Sequence, residues 1–222
     1  MGFDWLWEGQ NAARLAQGLW LTAKISFISV TLSLVFGTLF GLIMRSNNLI
    51  VRGFARFYLE TIRIVPILVW LFMLYFGLST WLDIHISGVW VCIWVFTLWG
   101  TAEMGDLVRG ALASIEKHQI ESAKAIGLTR MQIFRYIELP QGTRRLLPST
   151  INLFTRMIKT SSLAALIGVI EVVKVGQQII ENSLLTSPNA SFFVYGLIFV
   201  LYFIICYPLS LLANKLEHKW ES

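Results

Sequence analysis

The sequence predicts an all-α integral membrane protein, with five transmembrane helices and a polar helical hairpin between the third and the fourth. Three observations carry this reading. Apolar residues make up 56% of the 222 residues, with nine Trp and fifteen Phe, and the mean hydropathy is +0.66, more than a soluble domain of this size can hide from water. Uncharged runs long enough to cross a hydrocarbon core of about 30 Å recur along the chain. The basic residues gather on alternate connectors between those runs, so the net charge of +5 reads as membrane topology and not as a nucleic-acid surface. Cys92 and Cys206 lie inside apolar runs, where a thiol behaves as a small hydrophobe, so neither a disulfide framework nor a metal site is expected.

In chain order, the first seventeen residues place Asp4 and Glu8 ahead of any basic residue, unlike the basic start of a cleaved signal peptide. Phe3, Trp5, Leu6 and Trp7 are expected at headgroup level, where aromatic rings settle. Span one covers about 19–44, with no charge from Ile25 to Met44, and Gly37 and Gly41 form a small-residue seam for a close helix. A connector with Arg45, Arg52, Arg56 and Arg63 follows. Span two covers about 64–82, with Pro66 near its start, where a missing N–H costs least. Asp83 and His85 then fall in a solvated connector. Span three covers about 88–112 and carries Glu103, Asp106 and Arg109 in its later turns. Asp106 and Arg109 are spaced to pair on one face, as a structural ion pair near the interface or, with Glu103, along a polar path.

The polar stretch of about 116–140 reads as two short helices and a turn. Ala123 and Ala125 favour helix, and Gly127 can take the left-handed conformation that closes one. Thr129 and Gln132 form a capping box for the next helix, with Leu128 and Ile133 at the staple positions. Ile133, Phe134 and Ile137 share a face, while Arg130 and Arg135 fall elsewhere. Pro140 is expected to keep Leu139 out of helical geometry and end this helix.

Span four, about 146–172, is the least apolar. Pro148 suits the first turn of a new helix, but Arg156 and Lys159 interrupt the run. Lys159 either snorkels to the interface or, with Thr160, Ser161 and Ser162, faces a translocation path or a subunit seam. A loop with a short helix from Val173 leads to a Ser187-Pro188-Asn189 turn. Span five covers about 191–212, with Pro208 near its end and a basic tail of Lys215, His218 and Lys219.

The hairpin also has a distinctive spacing. Glu121-Ser122-Ala123, three residues, Gly127, nine residues, then Ile137-Glu138-Leu139-Pro140 resembles the EAA loop of bacterial ABC importer permeases, with Ser122 standing where Ala is usual. Tyr58, Glu60, Arg63, Pro66 and Tyr75-Phe76-Gly77 resemble the second helix of the permeases for polar amino acids, although Val65 replaces the usual Thr before Pro. Arg109-Gly110, Lys117 and Gln119 resemble that family's approach to the loop, with Glu116 and His118 where Pro and Gly are common. Asn152, Lys159 to Leu163 and Glu171 resemble its pore-side helix.

The resemblance implies a type I ABC importer permease fold over a single domain, 1–222, in a bacterial plasma membrane. It implies that Glu121, Ser122, Ala123, Gly127, Ile137, Leu139 and Pro140 couple the chain to an ATPase, with Glu121 and Ala123 at the docking surface. The implied partners are two ABC ATPase subunits, a second permease of the same or a related chain, and an extracytoplasmic amino acid-binding protein. ATP and Mg would be used by the ATPase, with no cofactor held by this chain.

The charge distribution sets an orientation. The connectors after spans one and three and the tail hold thirteen basic residues, namely Arg45, Arg52, Arg56, Arg63, Arg109, Lys117, Lys124, Arg130, Arg135, Arg144, Arg145, Lys215 and Lys219, against Arg14, Lys24 and Lys174 on the other side. The positive-inside rule then puts the hairpin and the C-terminus in the cytoplasm and the N-terminus outside. No GxxxxGK[ST] phosphate loop occurs, so ATP hydrolysis is not expected in this chain. A stand-alone or ion-coupled secondary transporter is the alternative, but the related halves common in such folds are not evident. An intramembrane enzyme would need converging catalytic groups, and His85, His118 and His218 fall in connectors or the tail.

Overall fold

The structure is a computed structural model that describes residues 9–183 and 189–221. Phe3, Trp5, Leu6 and Trp7, and Ser187 and Pro188 of the expected turn, lie outside the described residues. The elements in order are α1 (Asn11–Ile43), α2 (Leu49–Ile64), α3 (Ile67–Leu82), α4 (Gly88–Ala113), α5 (Lys117–Ala125), α6 (Arg130–Ile133), a π-helical turn (Phe134–Glu138), α7 (Leu139–Thr160), a 3₁₀ segment (Ser161–Ile167), α8 (Val172–Ser183) and α9 (Ala190–Glu221). Helices α1, α4 and α9 are each long and apolar enough to cross a bilayer. Two broken runs, α2 with α3 and Arg130–Ile167 with α8, bring the number to as many as five.

Two expectations need correction, at Pro140 and Pro148, and two segments show more than the expected spans. The connector after span one is largely a helix, α2, started by Asn48, whose Oδ1 accepts from the Ile50 and Val51 N–H groups at 2.9 and 3.4 Å, as an N-cap does. Pro66 then opens α3. Pro140 does not end the second hairpin helix. Leu139 is helical (φ −64°, ψ −49°) and its N–H donates to the Phe134 carbonyl five residues back. The wider π turn takes up one residue, which moves the hydrogen-bond ladder past the proline ring instead of breaking the helix. Pro148 consequently lies inside α7 and not at a helix start. Within the expected span four the helix is interrupted, because Gly168, at φ +82°, closes the 3₁₀ segment before α8.

The chain falls into two compact units. In the unit formed by 1–30, 65–97 and 154–208, Leu15, Val172, Val175, Ile179, Val194 and Ile198 form the core. A Cβ on Gly18 would lie 2.9 Å from the Val172 backbone, so α1 meets the start of α8 at backbone distance. The inward face of α1 also carries Thr22, Ser26 and Ser29, all buried. Their hydroxyls are satisfied within the protein, Ser26 by the Thr22 carbonyl at 2.8 Å and Ser29 by the Ile93 carbonyl at 3.4 Å, which is how small polar residues enter a membrane helix interface.

In the unit formed by 31–64, 98–153 and 209–222, Met104, Val108, Leu112, Ile115 and Leu153 form the core. The expected glycine seam is present there. A Cβ on Gly37 would lie 2.5 Å from Met104 Cβ, and one on Gly41 would lie 2.6 Å from both the Gly105 carbonyl and Val108 Cβ. Small residues at that spacing let α1 and α4 touch along their backbones.

Candidate functional site

The hairpin lies within the second unit, and each of its turns is fixed by a nameable bond. Gly127 has φ +85°. Its N–H donates to the Lys124 carbonyl at 3.0 Å and that of Leu128 to the Ala123 carbonyl at 3.1 Å, the two bonds of a Schellman closure. Thr129 starts the next helix through both bonds of the capping box with Gln132. With the left-handed residue and the cap only two positions apart, the turn has little freedom.

Side chains then strap the hairpin to the helices around it. Arg45, just beyond α1, donates to both carboxylate oxygens of Glu138, at 3.1 and 2.7 Å. Gln141 donates to Gln119 at 2.6 Å, and Arg145 donates to both the carbonyl and the hydroxyl of Ser114 at 2.6 Å. A Cβ on Gly142 would lie 2.7 Å from Leu112 Cδ2, so α7 lies close against the end of α4.

The sequence-predicted residues divide by exposure. Glu121, Ser122, Gly127, Leu139 and Pro140 are exposed, Ile137 is half-buried, and Ala123 is buried at 4%. Ala123 therefore supports the hairpin from inside and is not on a docking surface. Ile133 is buried and Phe134 half-buried, as the amphipathic pattern requires, and Arg130 and Arg135 are exposed. Large apolar side chains stand among these exposed polar ones: Ile126 is 79% exposed and Met131 72% on either side of the turn, and Tyr136 65% in the π turn. Between the hairpin and the end of α1 lies a cavity of about 850 Å³ whose lining includes Arg45, Lys124, Leu128, Ile133, Phe134 and Glu138.

Glu138 joins the site although it occupies only the free position of the Ile-x-Leu-Pro motif: it is buried and paired. The available signal was its position four residues after Phe134, on the inward face of an amphipathic helix, where a carboxylate requires a cation.

The expected Asp106–Arg109 pair is present, at 2.5 Å, and belongs to a larger cluster. Arg63 of α2 donates to Glu103 at 3.0 Å and to Asp106 at 2.8 Å. Both acidic residues of α4 are thus matched by guanidinium groups. In the other unit, Ser161 is fully buried and donates to the Ile158 carbonyl in the last turn of α7, 2.7 Å away, whereas Lys159 is exposed and Thr160 and Ser162 are half-buried. Glu171 is also fully buried. Its Oε1 accepts from the Lys174 N–H at 2.9 Å, capping α8, and its Oε2 lies 3.2 Å from the Thr22 hydroxyl. Among the described residues no group of three or more His, Cys, Asp or Glu is placed to hold a metal ion.

Residues 33–221 match the family model described as binding-protein-dependent transport system inner membrane component. The chain is 31% identical over 219 residues to the probable glutamine ABC transporter permease protein of Bacillus subtilis, covering 98% of each chain. It is 35% identical over 206 residues to a probable amino-acid ABC transporter permease protein of the same organism, covering 92% of this chain and 88% of that one. Among solved structures, an amino acid ABC transporter crystallised with histidines matches with a TM-score of 0.88 and 25% identity, over 99% of this chain and 100% of that chain. The MetNI methionine ABC transporter in inward-facing conformations matches in fold, with a TM-score of 0.72 and 19% identity over 93% of this chain and 95% of that one.

Proposed function

This chain belongs to the family of binding-protein-dependent transport system inner membrane components, and from that premise we propose that it moves a polar amino acid delivered by an extracytoplasmic binding protein. It is the membrane-spanning, non-catalytic subunit of an ABC importer for amino-acid-type substrates, with the type I permease architecture. The relatives whose names mention glutamine or amino acids support the substrate class. In this reading residues 1–222 act as one permease domain, paired with a second permease and served by two ATPase subunits that bind ATP and Mg. The hairpin and the C-terminus are cytoplasmic and the N-terminus is outside, in keeping with the charge distribution.

The observation that carries the reading is the hairpin: a turn locked by Gly127 and the Thr129 cap, with Ile126, Met131 and Tyr136 exposed beyond it. A ligand shifts a conformational equilibrium only through contacts that differ between the two states, and a hairpin whose tip has a fixed turn and exposed Ile126 and Met131 can pass ATPase closure to the helices, as a loose loop could not. Glu121, Ser122, Ile137, Leu139 and Pro140 frame that tip or its return to α7. Lys159, Thr160 and Ser162 are the better candidates for a path or seam, since Ser161 faces inward, while Glu103 and Asp106 would contribute as a neutralised cluster. The test is purification of the tagged chain from cells of its source. ATPase subunits retained in the complex, with hydrolysis stimulated by a loaded binding protein, are expected. Uptake by the isolated chain driven by an ion gradient would overturn the reading in favour of a secondary transporter.

A further inference from the structure

Helix α2 presents three separate faces. Ala55, Leu59 and Ile62 are buried. Ile50, Phe54, Phe57 and Ile64 return to one helical stripe and are 69%, 73%, 71% and 74% exposed, an apolar face with nothing from its own unit covering it. Arg52, Arg56, Glu60 and Arg63 form the third stripe, and with Asp106 and Arg109 they line a cavity of about 480 Å³. The charges there are unequal. Arg56 pairs with Glu60, and Arg63 and Arg109 share Asp106, with Glu103 also taking Arg63. Four guanidinium groups thus meet three carboxylates, and Arg52 is exposed without a charged partner among the described residues.

A helix with an exposed aliphatic and aromatic stripe beside a row of arginines has the pattern of one lying in the membrane interface. The excess cation selects among lipids. A zwitterionic headgroup brings its own ammonium and gains little from a cavity that is already net positive, whereas an anionic one supplies the missing charge, and a phosphate suits the planar guanidinium fork. We propose that this face binds an anionic phospholipid, with the acyl chains along Ile50, Phe54 and Phe57 and the phosphate held by Arg52 and Arg56. None of these residues belongs to the coupling hairpin, so the site stands or falls apart from the coupling reading.

The test uses the full chain in its purified complex, placed in phosphatidylcholine nanodiscs with a trace of phosphatidylglycerol or phosphatidylcholine carrying the same photoreactive acyl chain. Labelled peptides are then mapped. Each arginine near an anionic headgroup contributes about fivefold in preference, so labelling of residues 49–64 by the phosphatidylglycerol probe should exceed that by the phosphatidylcholine probe about tenfold or more. Arg52→Gln with Arg56→Gln should abolish the excess, and Arg52→Lys with Arg56→Lys should keep most of it. Labelling of α9 should be unchanged in every variant, which reports an intact fold. Equal labelling by the two probes would overturn the proposal, leaving an apolar face without headgroup selection. Displacement by inorganic phosphate would make the cavity a site for free anions, and absence of label on residues 49–64 would show that protein covers this face; either result also overturns it.

Discussion

Arg45 and Glu138 close a two-bond ion pair, at 2.7 and 3.1 Å, that joins the chain just beyond α1 to the π turn of the hairpin. Glu138 is the more buried partner, at 9% side-chain exposure against 33% for Arg45. Hydrogen bonds to charged groups contribute about 1.5–3 kcal/mol each. Glu138→Ala leaves Arg45 without its partner and should lower retention of the ATPase on purification by about tenfold, since about 1.4 kcal/mol corresponds to that factor. The exchanged pair, Arg45→Glu with Glu138→Arg, should restore part of the loss, whereas a generally unfolded variant would not be rescued.

Gly127 separates backbone strain from crowding. A Cβ there would meet nothing within 4 Å, so the cost of Gly127→Val comes from the left-handed backbone, about 1–2 kcal/mol or more for a β-branched residue. The variant should reach the membrane at normal levels yet lose substrate-stimulated ATP hydrolysis in reconstituted complexes. Gly127→Asn, which tolerates that conformation better, should keep most of the stimulation. Thr129→Ala should fall between them, having lost a cap of about 1 kcal/mol.

Gly41 presents the opposite case, since its backbone is ordinary helix and the space is filled. Gly41→Leu forces the side chain against the Gly105 carbonyl and Val108, at an overpacking cost of about 1–3 kcal/mol. Thermal unfolding in detergent should move to lower temperature. Gly53→Ala, inside α2 where a Cβ meets nothing within 4 Å, should not lower it, since Ala favours helix over Gly by about 0.5–1 kcal/mol.

What the sequence disclosed follows from how local each determinant is. Thr129, Gln132 and Gly127 act on neighbours within a few residues, so their capping box and left-handed turn were legible as spacing and are present. Gly37 and Gly41 were legible because small size at a four-residue interval admits a close helix wherever that helix comes from. Pro140 misled because a proline rule for isolated helices omits the π turn, which moves the ladder past the ring. Ala123 misled because composition alone does not say which face of a nine-residue helix turns inward. Glu138, Arg63 and Thr22 depend on partners 93, 43 and 149 residues away, and no periodicity encodes such pairings.

Glu171 and Thr22 form one of those distant pairs. The Glu171 carboxylate caps α8 at the Lys174 N–H, and loss of an N-cap costs about 0.5–2 kcal/mol. Glu171→Gln retains an acceptor and should protect the first-turn amides of α8 nearly as well as Glu171 does. Glu171→Ala should raise their hydrogen exchange about fivefold or more, measured in the purified complex.

The exposed tip of the hairpin, with Ile126 and Met131, is the proposed seat of an ATPase subunit. It is tested most directly by placing a photo-crosslinking amino acid at Ile126 or Met131, both exposed at the tip, in cells that express the whole transporter. Adducts with an ATPase subunit are expected from both positions. None is expected from Trp20 or Phe192, which are equally exposed but lie on the extracytoplasmic side in the proposed orientation. ATPase adducts from Trp20 or Phe192 in place of the tip, or none from Ile126 and Met131 while the complex remains active, would contradict the account.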